Sequence, residues 1–213
     1  MELAIIDLKN MGNIQSVLGA FQRVGATVAI VTSPEELERA RAVVLPGVGA
    51  FGEGMASLKR LGLVQALKEH ALNKQKPLLG ICLGMQLLAE EGLEHGRHAG
   101  LGFLPGRVVP LPPRVEGCRI PNMGWCDVTL SRPDSRLFAA TRNHEAFYFA
   151  HSFYFKCLNP GDVAATIDYG GPITAAVERG NLFGMQFHPE KSQEAGLDLL
   201  YHFCRHVRRH FGD

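Results

Sequence analysis

The first part of this chain alternates short apolar runs with segments of helical periodicity. Leu3 to Asp7 predicts a strand, and the next segment places Val17, Leu18, Phe21 and Val24 on one face, which predicts a helix from about Asn13 to Val24 closed by Gly25. Thr27 to Val31 predicts a second strand, Ser33-Pro34-Glu35-Glu36 a helix cap and first turn with proline at its preferred position, and Ala42 to Leu45 a third strand. A helix over Met55 to Leu72 then leads to a strand over Pro77 to Ile81. Such β-α-β alternation predicts a mostly parallel α/β sheet with helices on both faces and ligands at the carboxyl ends of the strands. From Arg107 the pattern changes. Mixed runs at Gly106 to Leu111, Cys126 to Leu130, Tyr148 to Tyr154, Val163 to Asp168, Thr174 to Glu178 and Leu182 to Gln186 predict antiparallel additions in the C-terminal half. Pro110 to Pro113 and Ser131 to His144 read as surface connections, and a helix from about Glu194 to His210 closes the chain. One domain over 1–213 is expected, because apolar strands resume on both sides of each connection.

Composition narrows the partners. With 46% hydrophobic residues in 213 positions the chain can build a substantial core. A formal net charge of +1 with 20% charged residues leaves no footprint for nucleic acid or an anionic membrane surface. Cys82, Cys118, Cys126, Cys157 and Cys204 stand singly, with no CxxC pair, which fits a reducing compartment. The N-terminus enters a strand at once and no apolar run is long enough to span a bilayer, so a cytoplasmic protein is expected. His202, His206 and His210 form a stripe at helical spacing. Without acidic or cysteine companions they read, with Arg205, Arg208 and Arg209, as cations near a helix C-terminus, and no metal is expected.

The candidate chemistry centres on KPLLGICLGMQ, where an apolar run passes through Cys82 into a helical pattern. A strand turning sharply into a helix strains its corner residue, and Gly80 and Gly84 would let neighbouring backbone approach without a Cβ clash. The sulfur would sit at a helix N-terminus, where a thiol pKa of about 8.5 can fall to roughly 3.5–7.5. Met85 and Leu88 read as core residues of that helix, and the other four cysteines as packing or surface residues. A thiol nucleophile needs a base, and the base an acceptor that orients it. His188 and Glu190, in GMQFHPE after the strand Leu182 to Gln186, supply both at the same sheet edge, with extended residues two apart sharing a side. An oxyanion would find donors in the N–H of Leu83 and an N–H of Gly47-Val48-Gly49, with Val48 and Gly49 as the candidates there.

The strings LPGVGAF, GICLGMQLL, GFLPGRV, IPNMGW, YFAHSFYF and GMQFHPEKS, in this order over nearly the whole chain, resemble the class I, triad-type glutamine amidotransferases. Within them they are most similar to the glutaminase subunits of imidazole glycerol phosphate synthase. The resemblance implies a flavodoxin-like fold and a glutaminase that hydrolyses glutamine through a Cys82 thioester, with His188 as acid/base and Glu190 as its orienter. It implies no cofactor. Ammonia would pass to a separate (β/α)₈-barrel cyclase subunit, in a heterodimer that makes imidazole glycerol phosphate and AICAR in histidine biosynthesis. By the same resemblance Gly47, Gln86, Glu94, His151, Ser152 and Phe153 would hold the glutamine, and Asn13, Met123, Gly124, Trp125, Tyr148 and Lys191 would face the cyclase. From the residues alone, Trp125 fits a core anchor as well as an interface.

The opening Asp7-Leu8-Lys9-Asn10-Met11-Gly12-Asn13 departs from the family's DYGMGN, and Pro121-Asn122-Met123-Gly124-Trp125-Cys126 departs from PHMGWN. Both departures fall on the side expected to face the partner. They leave open a paralogue supplying ammonia for surface-sugar amidination. Two other readings are a non-catalytic interaction subunit and a γ-glutamyl hydrolase that works alone.

Overall fold

The computed structural model describes residues 2–9, 11–112 and 119–211. Asn10, Pro113 and Cys118, named above, lie outside the described residues. In chain order the first half comprises β1 (Leu3–Ile6), α1 (Ile14–Arg23), β2 (Val28–Val31), α2 (Pro34–Glu38), β3 (Ala42–Gly47), α3 (Phe51–Arg60), α4 (Leu63–Lys68) and β4 (Leu78–Cys82). There follow a one-turn helix α5 (Leu83–Gln86), β5 (Ala89–Gly92), β6 (His98–Ala99), β7 (Leu104–Pro110), β8 (Asn122–Leu130), β9 (Glu145–His151), β10 (Phe153–Cys157), β11 (Val163–Asp168), β12 (Pro172–Arg179), β13 (Leu182–Met185) and α6 (Gln193–Phe211).

The period of two along β1 and β3 decides the layers. Leu3, Ile5, Ala42 and Val44 enter one core with Phe21 of α1 and Phe203 of α6. Ala4, Ile6, Val43 and Leu45 enter the other, with Leu37, Phe51, Leu58 and Leu63 of α2, α3 and α4. Strands buried on both faces read as continuous apolar runs, which is why they stand out in the sequence. Among the described residues the main sheet has the order β2-β1-β3-β4-β13-β12-β11-β8-β9. It is parallel from β2 through β13 and antiparallel from β13 to β9. The predicted parallel sheet, covering helices and antiparallel additions are all present.

Several expectations change. The helix expected over Met55 to Leu72 begins at Phe51 and breaks at Gly62, whose left-handed φ of 69° starts α4, and it ends in a π-helical turn over Glu69–Asn73. The run expected as one strand over Tyr148 to Tyr154 is two. β9 ends at His151 in the main sheet, and β10 begins at Phe153 in a second sheet ordered β10-β7-β5-β6. The apolar pattern continues across Ser152 because both strands bury one face, so periodicity alone misses the change of sheet. That smaller sheet pairs β5 with β7 in parallel, an arrangement outside the expected antiparallel additions. The helix after Cys82 lasts one turn, so Leu88 lies beyond it, although Leu88 and Met85 are both fully buried. The connection from Ser131 to His144 is pinned by the fully buried Glu178, which accepts from Ser135 Oγ at 2.7 Å and Arg136 Nε at 2.7 Å. No helix among the described residues is long and apolar enough to cross a membrane.

Candidate active site

Cys82 ends β4 and caps α5 with φ 53° and ψ −110°, a conformation that a residue bearing a Cβ holds only when its surroundings enforce it. The enforcement is backbone on backbone. A Cβ at Gly84 would lie 1.6 Å from the Leu45 carbonyl oxygen, and one at Gly80 would lie 2.5 Å from the Met85 nitrogen, so the elbow closes only with glycine at both places. One turn of helix carries a small dipole, so the tight corner, more than a long helix, is what presents the sulfur.

β13 lies beside β4 in parallel, with Met185 opposite Ile81, and therefore delivers the chain that follows it to the same edge. His188 arrives there with its backbone N–H donating to Tyr148 O at 2.9 Å and its carbonyl accepting from Ser192 Oγ at 2.7 Å. Its Nδ1 lies 2.8 Å from Glu190 Oε1, and the ring also hydrogen-bonds to Cys82. The contact with Glu190 does not come from extended alternation as expected: Pro189–Lys191 form a 3₁₀ turn that folds the carboxylate back onto the ring. Both side chains are almost fully buried. Burial disfavours the imidazolium, but the hydrogen bonds to Cys82 and Glu190 and their negative charges outweigh it and push the His188 pKa up to about 10.

The elbow opens onto a pocket of about 440 Å³. Val48, Gly49, Leu83, Gln86, Glu94, His151, Ser152 and Phe153 all line it with Cys82, whereas Gly47 does not touch it and packs against the Leu83 side chain. Glu94 Oε2 accepts from the Phe51 N–H at 2.8 Å, at the first turn of α3. Gln86 Nε2 donates to the Phe153 carbonyl at 2.9 Å and to Gln186 Oε1 at 3.0 Å. His151 sits with Nδ1 2.9 Å from the same Phe153 carbonyl and Nε2 3.2 Å from Asn122 Nδ2, an arrangement that suits a neutral ring. Burial, with a further push from the charge of His188 and against the Phe153 carbonyl, lowers its pKa to about 4. The segment 47–49 carries β3 past its end at Gly47. The Val48 N–H donates to Met11 O at 2.9 Å, so in this conformation it is turned away from an oxyanion at Cys82.

The family description "Glutamine amidotransferase class-I" matches residues 5–207. The chain belongs to this family. Among curated relatives, the amidotransferase is 45% identical to "Imidazole glycerol phosphate synthase subunit HisH 1" of Campylobacter jejuni strain 81-176, over 95% of this chain and 99% of the relative. It is 43% identical to the HisH subunit of Rhodospirillum rubrum over 96% and 99% of the two chains, and 46% identical to that of Moorella thermoacetica over 97% and 95%. A crystal structure described as a glutamine amidotransferase superposes with a TM-score of 0.74 at 20% identity, covering 98% of each chain. The structure of PurLQS from Thermotoga maritima gives 0.77 at 20% identity, covering 97% and 98%. These two likenesses concern the fold.

Of the residues that the resemblance assigned to the partner side of the amidotransferase, five lie on β8, β9 and the turn after His188, and Asn13 lies at the start of α1. Trp125 is 49% exposed and Met123 66% exposed, so neither is a core anchor. Trp125 stacks edge-on against Tyr148 at 6.1 Å, and Lys191 Nζ lies 5.7 Å from the centre of the Tyr148 ring. Gly124 lies between Met123 and Trp125 on β8 with φ 146°, and Asn13 caps α1 by accepting from Ser16 N. Asn122, one of the departures from the family pattern, is buried against His151 and 3.7 Å from the Cys126 sulfur. Sequence reasoning missed Gln186, His95, Pro121 and Ala150. The last three line the pocket, and Gln186 touches the Cys82 sulfur. Gln186 alone carried a signal, as the one polar residue in the apolar run from Leu182 to Phe187.

Proposed function

We propose that the chain is the glutaminase subunit of an imidazole glycerol phosphate synthase, releasing ammonia from glutamine for a partner subunit in histidine biosynthesis. The observation that carries this reading is the buried set Cys82, His188 and Glu190, in hydrogen-bonding order, with the Cys82 sulfur opening onto the pocket. The similarity to HisH subunits over nearly the whole chain supports the same pathway. The partner is a (β/α)₈-barrel cyclase, and the exposed Met123 and Trp125 supply the apolar face it covers. The site works from 1–213 as one domain in the cytoplasm, without a metal or organic cofactor.

The Cys82 sulfur attacks the side-chain carboxamide carbon of glutamine, and its proton rests on His188. The Leu83 N–H and a donor from Gly47-Val48-Gly49 meet the oxyanion of the tetrahedral intermediate. As the C–N bond breaks, His188 gives its proton to the departing ammonia and a glutamyl thioester remains. His188 then takes a proton from water as the water attacks the thioester, and collapse returns glutamate and the sulfur. Glu190 holds the ring in place through both halves. Glu94 takes the α-amino group of the substrate, while the backbone of His151-Ser152-Phe153 lines the opposite wall. The Val48 peptide must turn away from Met11 before it can serve as a donor, and docking of the partner supplies that bias.

The test is glutamate release from glutamine by the chain alone and with the cyclase subunit and its nucleotide ligand, in wild type and Cys82→Ala. The expected result is stimulation by the cyclase that disappears in Cys82→Ala. Activity that this cyclase leaves unchanged would point instead to another acceptor or to a hydrolase working alone.

A further inference from the structure

Behind the Cys82 sulfur lies a chain of three groups whose orientations follow one from another. The Phe153 carbonyl oxygen only accepts, so the side-chain atom of Gln86 placed 2.9 Å from it is the amide nitrogen. The second hydrogen of that nitrogen faces Gln186 at 3.0 Å, which requires the Gln186 oxygen there, because the opposite orientation would set two NH₂ groups against each other. The remaining end of Gln186, its Nε2, is then directed at the Cys82 sulfur, 3.7 Å away. Gln186 is fully buried, and its backbone is held by a hydrogen bond to Ala175 O at 2.8 Å. On another side the sulfur meets the Ala150 carbonyl at 4.0 Å. A thiol can donate to that carbonyl, but a thiolate gains nothing from it and is stabilised only by donors.

We propose that Gln186 belongs to the reacting centre: its amide N–H donates to the Cys82 sulfur and favours the charged nucleophile, while Gln86, anchored on Phe153, keeps that donor facing it. The inference rests on the reading of Cys82 as the nucleophile. It explains why a primary amide occupies a position in β13's continuation where apolar neighbours would pack without the cost of burying polar atoms. Phe153 lines the substrate pocket, so the same chain joins the wall that receives glutamine to the atom that attacks it.

The experiment uses Gln186→Met, close in volume but without a donor, and Gln186→Glu, close in shape but bearing an anion. Alkylation of Cys82 by iodoacetamide is followed by mass spectrometry of its peptide at pH 7 and pH 10, beside kcat and KM for glutamine in the complex with the cyclase. The expected result is a fall of roughly 10-fold in the pH 7 alkylation rate of Gln186→Met with little change at pH 10. A larger fall is expected in Gln186→Glu, and kcat should drop about 10-fold or more with KM nearly unchanged. A wild-type ratio of the two alkylation rates in Gln186→Met would overturn the proposal, since a residue that only packs has no reason to change it. Should Gln186→Met fail to fold, Gln86→Leu, which releases the Gln186 amide, is read in the same way: a smaller fall in the same direction supports the proposal and an unchanged ratio overturns it. Alkylation does not depend on turnover. Retained glutaminase activity in Cys82→Ala would therefore sink the nucleophile reading separately.

Discussion

Two walls of the same pocket are built to different degrees of readiness. Cys82 at the floor, hydrogen-bonded to His188 and through it to Glu190, is buried and held at the ends of parallel strands in the middle of the main sheet. The rim at 47–49 follows the neighbouring strand β3, yet Val48 is 41% exposed and its N–H is spent on Met11 O, and Gly49 holds a φ of 101°. Burial explains the difference. A residue at the floor loses many contacts if it moves, whereas the Val48 peptide exchanges one hydrogen bond for another at the surface. A preassembled Cys82–His188–Glu190 set beside a Val48 N–H bonded to Met11 is the arrangement that the proposed partner-dependent glutaminase calls for.

The largest effect should come from the floor. Cys82→Ala is expected to lower glutamate release by about 10⁴-fold or more, with and without partner. Glu190→Gln, which keeps the shape but removes the charge opposite His188, should lower it by about 10³-fold. The same substitution tests the electrostatics through stability. His188 is raised from 6.5 to about 10 in the folded chain, so its stabilising contribution is complete below pH 6.5 and is lost as pH rises through about 10. The difference in melting temperature between wild type and Glu190→Gln should therefore be widest below pH 6.5 and close near pH 10; a difference that grows with pH would break the picture of a protonated ring held by Glu190.

The rim should respond through activation. Val48→Pro removes the N–H now given to Met11, and the partner-stimulated rate is expected to fall by about 10²–10³-fold, bringing it close to the unstimulated rate. Stimulation of wild-type size in Val48→Pro would show that the donor lies elsewhere. A last effect, read in stability, joins the two walls. Gly84→Ala forces a methyl into the Leu45 carbonyl of β3, and calorimetry should show a loss of about 3 kcal/mol, or roughly 6–12 °C in melting temperature.

Much of this was legible beforehand because local chemistry and local pattern agreed. The strand runs ending at Leu45 and Ile81, the glycine-flanked elbow at Cys82 and the His188-Pro189-Glu190 string each identify themselves within a few residues. Their strands are buried on both faces or end at an edge where only certain residues fit. The break at Gly62, the change of sheet at Ser152 and the buried anchoring of Ser131 to His144 by Glu178 were not legible. Each depends on what a segment packs against, and an apolar run has the same period on either side of such a junction.

The sequence by itself determined the layered, mostly parallel sheet with its antiparallel additions and the candidates for nucleophile, base and orienter, since these follow from periodicity and from residue types that few other settings tolerate. Only the tertiary structure decided that Val48 turns toward Met11, that the 3₁₀ turn and not an extended strand brings Glu190 to His188, and that Gln86 and Gln186 line up behind the sulfur. Those are relations between residues as far as 104 positions apart, fixed by which hydrogen-bond partners remain once the strands have come together.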